Sequence, residues 1–328
     1  MGRGASWAAA GMLAPVHELE FQELELLHAG REALLTYEKW AEELPDFGYQ
    51  ACGALEIALT RNDIPMLKRL YDFQQDHQLP VQWLEGSELR NKLPELAHNI
   101  RAGIWAPEDR QIDPRKLIQA LLEALAVSDL VSLLPHEKQI RWQKQNDQSW
   151  HVRTERSEYT CKRLVFCTGV GHNVLFPDSP LRIQPVRGQM VSVLPPVGVD
   201  LPFPLRIRNR QYGNAYVVPK NDRWILGSTS EEKGFDSRPT AGGLLDILNK
   251  TYAALPLIYE QPVLEVWAGL RPAAPHRRPV VAEVEKNLWL FNGLYRHGIL
   301  LGPYVAEGLA EWIRKGKLPD KLLPFATV

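Results

Sequence analysis

The sequence has few cysteines, and their arrangement limits what they can do. The 328 residues contain three, Cys52, Cys161 and Cys167, an odd number scattered along the chain. A disulfide framework needs an even set at short spacings, so this pattern predicts buried, reduced thiols in a cytoplasmic protein. None belongs to a CxxC motif, which argues against a catalytic cysteine.

The chain also lacks an excess of charge of either sign. Its 38 lysines and arginines nearly balance 39 aspartates and glutamates, for a formal net charge of -1. Binding to nucleic acid or to an anionic membrane surface depends on concentrated positive charge. We therefore expect no nucleic-acid partner, and no apolar stretch is long enough for a membrane span. The remaining expectation is a folded protein that acts on a small molecule.

Several motifs that carry chemistry are absent. The nine histidines show neither HxxxH nor HExxH spacing, so no metal site is predicted, and no GxSxG elbow for nucleophilic hydrolysis occurs. No GxGxxG turn is found either. That turn holds the diphosphate of a dinucleotide against a helix N-terminus, so its absence bears directly on cofactor binding.

Hydrophobic periodicity predicts alternating helices and strands, hence an α/β fold with α+β character overall. Helical spacing occurs at residues 18–44, 64–77, 114–125, 241–254 and 303–313. Asp113 followed by Pro114 is typical of a helix start, and we interpret this carboxylate as a cap rather than a catalytic group. Strand patterns occur at residues 52–59, 100–105, 164–169, 189–194, 215–219, 224–228, 263–267, 280–284 and 288–292, with a hairpin at 141–160.

Two segments near the C-terminus organise the functional interpretation. Residues 267–272 read WAGLRP, and residues 292–303 read NGLYRHGILLGP. The first predicts an arginine in a turn behind a strand, and the second a strand that ends in a glycine-rich loop opening a helix. A fixed cation beside backbone N–H donors is suited to an anion and a cofactor.

These segments resemble the signature of the flavin-dependent amine and D-amino-acid oxidoreductases, most closely that of the glycine oxidases of the thiamine pathway. Further matches follow in the family's order at residues 5–15, 111–114, 165–169, 185–190, 215–220 and 225–229. The sequence departs from the family pattern after GLRP, where His276, Arg277 and Arg278 replace an expected Asp-Gly. An altered loop there could change substrate preference while leaving the preceding arginine in place.

The resemblance implies a Rossmann-like FAD-binding domain with an inserted antiparallel-sheet domain that binds substrate. The expected FAD-binding domain comprises residues 1–50, 100–170 and 268–328, and the substrate-binding domain residues 51–99 and 171–267. Members of the family begin with a strand, a GxGxxG turn and a helix, and the sequence contains no such unit. We expect either a truncated start or a loss of flavin binding.

The resemblance assigns catalytic or substrate-binding roles to Arg271, Tyr216 and Arg296. A guanidinium can hold a carboxylate through two parallel hydrogen bonds, which would aim the Cα of an amino acid at flavin N5. A structural ion pair is the alternative for Arg271. Tyr216 is either a packing aromatic beside two core valines or a donor to the substrate carboxylate.

The resemblance also implies which residues contact FAD. Ser6, Gly11 and Met12 belong to the segment that lies against the flavin ring, and Thr168 and Gly169 lie near the adenosine half. The loop facing the pyrimidine oxygens of the ring comprises Arg296, His297, Gly298 and Ile299.

The activity implied is the FAD-dependent oxidative deamination of a small amino acid. Hydride passes from Cα to flavin N5, the imino acid hydrolyses to an α-keto acid and ammonia, and oxygen regenerates FAD with hydrogen peroxide. A D-amino-acid or sarcosine dehydrogenase or oxidase is the alternative enzyme. A flavin-free remnant that binds a partner or has no function is the alternative of another class, and a homo-oligomer is compatible with each.

Overall fold

The computed structural model describes residues 2–18 and 23–326. The helices of this part are α1 (Ala5–Ala8), α2 (Leu24–Glu43), α3 (Ile64–Asp76), α4 (Gly86–Lys92), α5 (Pro114–Ala126), α6 (His172–Leu175), α7 (Ala241–Ala254) and α8 (Gly298–Lys315). Its strands are β1 (Met12–Leu13), β2 (Ala54–Ala58), β3 (Gln82–Glu85), β4 (Ala102–Ala106), β5 (Arg110–Gln111), β6 (Arg141–Lys144), β7 (Trp150–Arg153), β8 (Glu158–Cys161), β9 (Leu164–Phe166), β10 (Gln184–Val193), β11 (Leu205–Arg208), β12 (Ala215–Pro219), β13 (Trp224–Gly227), β14 (Val263–Ala273), β15 (Val280–Glu285) and β16 (Leu288–Asn292).

The largest sheet has eight strands in the order β14–β10–β13–β12–β11–β2–β4–β3. The pair β2 and β11 is parallel and the other neighbours are antiparallel. The predicted antiparallel pairing is confirmed among β10, β12, β13 and β14, and the parallel pair of β2 and β11 makes the whole sheet mixed. The two strands are far apart in sequence, so no tight hairpin forces them to run in opposite directions.

The two faces of this sheet differ because side chains alternate along each strand. One face packs against α7 through apolar residues that include Leu55, Ile57, Leu205, Ile207, Val217, Leu226 and Ile247. The residues between them face the other way. A row of cross-strand neighbours on that second face runs from Glu56 through Arg206 and Tyr216 to Gly227. Polar groups are thereby placed on a surface that α7 does not cover.

A smaller sheet, β15–β16–β9, lies between two other layers. Val281 and Trp289 pack against α2, α5 and α8, whereas Phe166 and Leu290 pack against Trp150 of the β6–β7–β8 sheet. Strands β9 and β16 are parallel. This layering is Rossmann-like, and the predicted α/β fold is confirmed.

Most predicted elements occur within a few residues of their expected bounds. Asp113 caps α5 as expected, because its carboxylate accepts hydrogen bonds from the backbone N–H groups of Arg115 at 2.9 Å and Lys116 at 3.4 Å. The predicted helix at 18–44 corresponds to α2, and residues 19–22 of that prediction lie outside the described residues.

Strand β14 corrects one expectation about the site. It continues to Ala273, so Arg271 lies within a strand and not in a turn behind one. The strand can extend through Pro272 because β14 is at the edge of its sheet, where a residue without an N–H group is tolerated. Arg271 is consequently held by ladder pairing with Val186 of β10.

The cysteines correct a second expectation. All three are free, but none is buried: Cys52 and Cys161 are partly exposed and Cys167 is exposed. Cys167 directly follows β9, so its side chain lies at the open carboxyl end of that strand. Partial burial is still enough to raise the pKa of Cys52 to about 11, so its thiol is protonated at neutral pH.

The proposed division into two domains stays a prediction. The large sheet includes β4 and the last residues of β14, which the sequence analysis had assigned to the FAD-binding segments. In the part of the chain that the structure describes, no helix combines the length and the apolar character needed to cross a membrane.

Candidate active site

A cavity of about 690 Å³ opens where the second face of the large sheet meets the N-terminal segment and the start of α8. All the site residues predicted from the sequence line it except His297. Those that line it are Ser6, Gly11, Met12, Thr168, Gly169, Tyr216, Arg271, Arg296, Gly298 and Ile299. Segments distant in sequence are therefore brought to one place, which is the condition for a shared site.

Arg271 crosses the neighbouring strand β10 at Gly188. A Cβ atom at that glycine would lie 2.3–2.5 Å from the guanidinium, so only glycine leaves room for it. Nη1 of Arg271 donates to the carbonyl oxygen of Thr229 at 3.1 Å, and Nη2 donates to Ser228 Oγ at 2.7 Å. These acceptors are neutral, and no carboxylate among residues 2–18 and 23–326 forms an ion pair with Arg271. Its charge is available to an anion in the cavity.

Tyr216 lies next to this arginine on the same wall. Its ring crosses β13 at Gly227, where a Cβ would lie 2.7 Å from the hydroxyl oxygen. Burial raises the pKa of Tyr216, although the charge of Arg271 and a hydrogen bond with Ser228 oppose this effect. The hydroxyl therefore keeps its proton at neutral pH and can donate to an anion that Arg271 also holds.

A carboxylate that sequence reasoning missed, Glu18, occupies another part of the wall. Its Oε1 lies 3.3 Å from Arg206 Nη1, and its Oε2 lies 3.5 Å from His297 Nδ1. Burial opposes ionisation of Glu18, but the hydrogen bond from His297 and the charges of Arg206 and Arg296 hold its pKa below the ordinary value. Glu18 is thus an anion at neutral pH.

His297 is buried behind the wall and links Glu18 to Arg296. Arg296 Nε donates to His297 Nε2 at 3.3 Å, which leaves the proton of a neutral imidazole on Nδ1, facing Glu18. Arg296 also donates to the Glu18 carbonyl oxygen at 3.1 Å and to the Glu23 carboxylate at 3.4 Å. The structure places His297 where it orients two wall residues and does not itself line the cavity.

A buried pair behind the wall fixes the backbone that carries Glu18. Asp109 accepts hydrogen bonds from the backbone N–H of Val16 at 3.1 Å and from His17 Nδ1 at 2.7 Å. His17 Nε2 is 3.2 Å from the Ile104 carbonyl oxygen, and both side chains of the pair are fully buried. The position of Glu18 therefore depends on contacts with residues about ninety positions away.

The N-terminal segment forms a surface of small residues suited to a flat ring. Gly11 has a φ of +85°, and a Cβ there would lie 2.2 Å from the carbonyl oxygen of Ile112. A Cβ at Gly269 of β14 would lie 2.5 Å from Ala8. Trp267 Nε1 donates to the carbonyl oxygen of Ala8 at 3.0 Å and holds the segment against the sheet.

The first turn of α8 also lines the cavity, and the helix contacts β1 of the N-terminal segment. Gly298 and Ile299 are its first two residues, so their backbone N–H groups precede the intrahelical ladder and are donors for a ligand. Asn292 Nδ2 donates to the carbonyl oxygen of Gly169 at 3.0 Å, which joins this region to the end of β9. These features fit the ring of a flavin, whereas the GxGxxG donors for its diphosphate are absent from the sequence.

Comparison with known proteins defines the class to which this fold and cavity belong. The model of the FAD dependent oxidoreductase (DAO) family matches residues 1–312, and the chain belongs to this family. It is 32% identical over 334 residues to the bifunctional protein ThiO/ThiG of Trichormus variabilis, covering 98% of this chain and 49% of that protein. The chain spans about half the length of the bifunctional relatives that it matches.

Similarity to glycine oxidases covers more of the related protein. The chain is 30% identical over 341 residues to glycine oxidase of Geobacillus kaustophilus, covering 99% of this chain and 87% of that one. The crystal structure of glycine oxidase from the same organism superimposes with a TM-score of 0.90 at 28% identity, over 100% of this chain and 89% of the other. The agreement in fold thus extends along the whole of this chain.

Proposed function

We propose that this chain carries the site of an FAD-dependent oxidative deamination of a small amino acid, of the glycine oxidase kind. The observation that carries the proposal is Arg271, a guanidinium on the cavity wall with neutral acceptors as its partners. A bound flavin supplies a hydride acceptor at N5. Family membership and the similarity to glycine oxidases support this chemistry.

The chain's own residues position the substrate. Arg271 holds the carboxylate through its guanidinium, and the Tyr216 hydroxyl donates a second hydrogen bond to it. With the carboxylate fixed, the Cα–H bond is directed at the small-residue segment around Gly11, where the flavin ring fits. The donors of Gly298 and Ile299 stabilise the negative charge that develops on the ring when the hydride is transferred.

The products follow from atom balance. Loss of hydride from Cα and of a proton from nitrogen leaves an imino acid, and water converts this to an α-keto acid and ammonia. For glycine the keto acid is glyoxylate. Re-oxidation of a bound flavin by oxygen would give hydrogen peroxide, which is a convenient product to measure.

The test compares an amino acid with an amine that lacks the carboxylate. With FAD in excess, Arg271→Ala is expected to lose about 2–5 kcal/mol of transition-state binding for glycine, or about thirtyfold to several thousandfold in kcat/KM. Turnover of methylamine, already slow, should not fall further. Arg271→Lys should restore part of the loss, because lysine supplies the charge without the planar fork.

Arg156→Ala serves as the matched control, since Arg156 is exposed on the turn before β8 and does not line the cavity. It should leave both rates unchanged. The assignment of Arg271 fails if its alanine variant slows glycine and methylamine equally, or if it releases the flavin.

A further inference from the structure

The positively charged residues of the cavity wall differ in whether a carboxylate pairs with them. Three arginines line it, Arg206, Arg271 and Arg296, together with one described carboxylate, Glu18. Arg206 pairs with Glu18 at 3.3 Å and Arg296 with Glu23 at 3.4 Å, whereas Arg271 has neutral acceptors. The wall therefore presents one unmatched positive charge to a ligand.

Arg206 is placed where a second acidic group of a ligand would reach it. It stands directly beside Tyr216 in the cross-strand row, and Tyr216 stands beside Gly227. Arg271 bonds to Ser228, the residue after that glycine, and both arginines line the cavity with Tyr216 between them. A dicarboxylate bound at Arg271 would have Arg206 as the next cation along the wall on the far side of Tyr216.

Glu18 occupies that second position in the native chain. Glu56 also approaches Arg206, at 3.8 Å, but it is matched more closely by Arg208 at 2.7 Å. Removing the charge of Glu18 would therefore leave Arg206 with an excess of positive charge facing the cavity. With Glu18 ionised, a second carboxylate would meet a like charge in a partly desolvated site.

We propose that Glu18 determines substrate specificity by masking Arg206, so that the site takes amino acids with a single carboxylate and rejects dicarboxylic ones. Replacing Glu18 by a neutral residue converts Arg206 into a second carboxylate-binding position. The buried pair of His17 and Asp109 holds the masking side chain in place. This inference rests on the proposed function, because it takes the first carboxylate to bind at Arg271.

The test uses two ligands that match in size and differ in charge, D-aspartate and D-asparagine. Their dissociation constants are measured by calorimetry on the purified chain with reduced FAD present and oxygen excluded, so that neither ligand is turned over. The native protein should bind asparagine at least about tenfold more tightly than aspartate. In Glu18→Gln the ratio of the two constants should shift toward aspartate by about tenfold to a hundredfold.

Three further variants check the cause. The shift should disappear in the double variant Glu18→Gln/Arg206→Met, because Arg206, which would bind the second carboxylate of aspartate, has then been removed. Glu108→Gln removes a carboxylate that pairs with Arg31 on the surface, and it should leave the ratio unchanged. Glu18→Asp, which withdraws the carboxylate from Arg206, should shift the ratio in the same direction by less and provides the test if Glu18→Gln does not fold.

The outcomes separate the two proposals. An unchanged ratio in a folded Glu18→Gln protein, or a shift that persists without Arg206, overturns the masking role and leaves the proposed function intact. Asparagine binding that survives in Arg271→Ala contradicts the proposed function instead.

Discussion

At the scale of single residues, the position of Arg271 depends on a glycine in the neighbouring strand. Gly188 is opposite Gly269 in the β10–β14 pair, and the arginine side chain lies over it. The guanidinium is the flexible end of a long side chain, so an added methyl group would displace it at little cost to folding. The geometry of the site is thus more sensitive to this position than stability is.

We therefore predict that Gly188→Ala weakens carboxylate binding while leaving the charge of Arg271 in place. A shift of the guanidinium breaks its bonds to Thr229 and Ser228, so we expect kcat/KM for glycine to fall by about tenfold to a hundredfold, with a change in unfolding free energy below about 1 kcal/mol. Steady-state kinetics and urea unfolding measure the two effects.

Gly242→Ala is the control for this variant. It adds the same methyl group in α7, where nothing lies within 4 Å of the new atom, and should leave the kinetics unchanged. Equal kinetics for Gly188→Ala and the native protein would show that Arg271 tolerates displacement and that its present geometry is not needed.

The sequence indicates some residues of the site and not others, for a physical reason. Arg271 and Gly298 belong to continuous motifs, so their proximity to a ligand could be predicted from local pattern. Arg206 could be assigned only to the face opposite Leu205 and Ile207 by alternation. Glu18 owes its place to the bond between His17 and Asp109, and no local pattern encodes a contact across about ninety residues.

At the scale of elements, the start of α8 shows why helix boundaries are hard to predict. The sequence pattern predicts this helix from Pro303, but the helix begins at Gly298 and contains the proline. Pro303 has no N–H group for the carbonyl oxygen of Ile299, four residues before it. Tyr37 of α2 donates its hydroxyl to that oxygen instead, at 2.5 Å. A side chain from another helix thus completes the turn.

This contact predicts the effect of Tyr37→Phe. The variant keeps the ring in the core and leaves the partly buried carbonyl of Ile299 without the Tyr37 donor, so we expect a loss of about 1–3 kcal/mol in unfolding free energy. Because Ile299 lines the cavity, affinity for flavin should fall as well. Urea unfolding and flavin titration measure the two losses.

Tyr49→Phe is the matched control, because its hydroxyl makes a 3.5 Å contact with the exposed Glu38 and interacts with Arg110, and completes no helical turn. We expect this substitution to change stability by less than about 0.5 kcal/mol. If the two variants were equally stable, the hydroxyl of Tyr37 would not be needed to complete the first turn of α8.

At the scale of the whole molecule, the cavity combines the proposed site for the flavin ring with a sequence that lacks the diphosphate turn. The small-residue segment, Arg271 and the first turn of α8 come together without any GxGxxG unit. In the proposed function, the large sheet and α8 supply the contacts with substrate and ring, and none of these contacts belongs to a diphosphate turn.

Because the sequence has residues for the flavin ring but no glycine turn for the diphosphate, we predict that the 328-residue chain binds FAD weakly and distinguishes poorly between FAD and riboflavin. The contacts with the ring are common to both ligands. The diphosphate of FAD is normally held by charge-assisted hydrogen bonds from a glycine turn, each of which contributes about 1.5–3 kcal/mol. The sequence has no such turn. Flavin fluorescence titrations should give dissociation constants for FAD and riboflavin within about tenfold of each other.

Gly11→Ala, which places a methyl group against Ile112, should weaken the binding of FAD and of riboflavin to a similar extent. Tight stoichiometric FAD with weak riboflavin would mean that other residues of this chain hold the diphosphate, and the ring site would then not dominate cofactor binding.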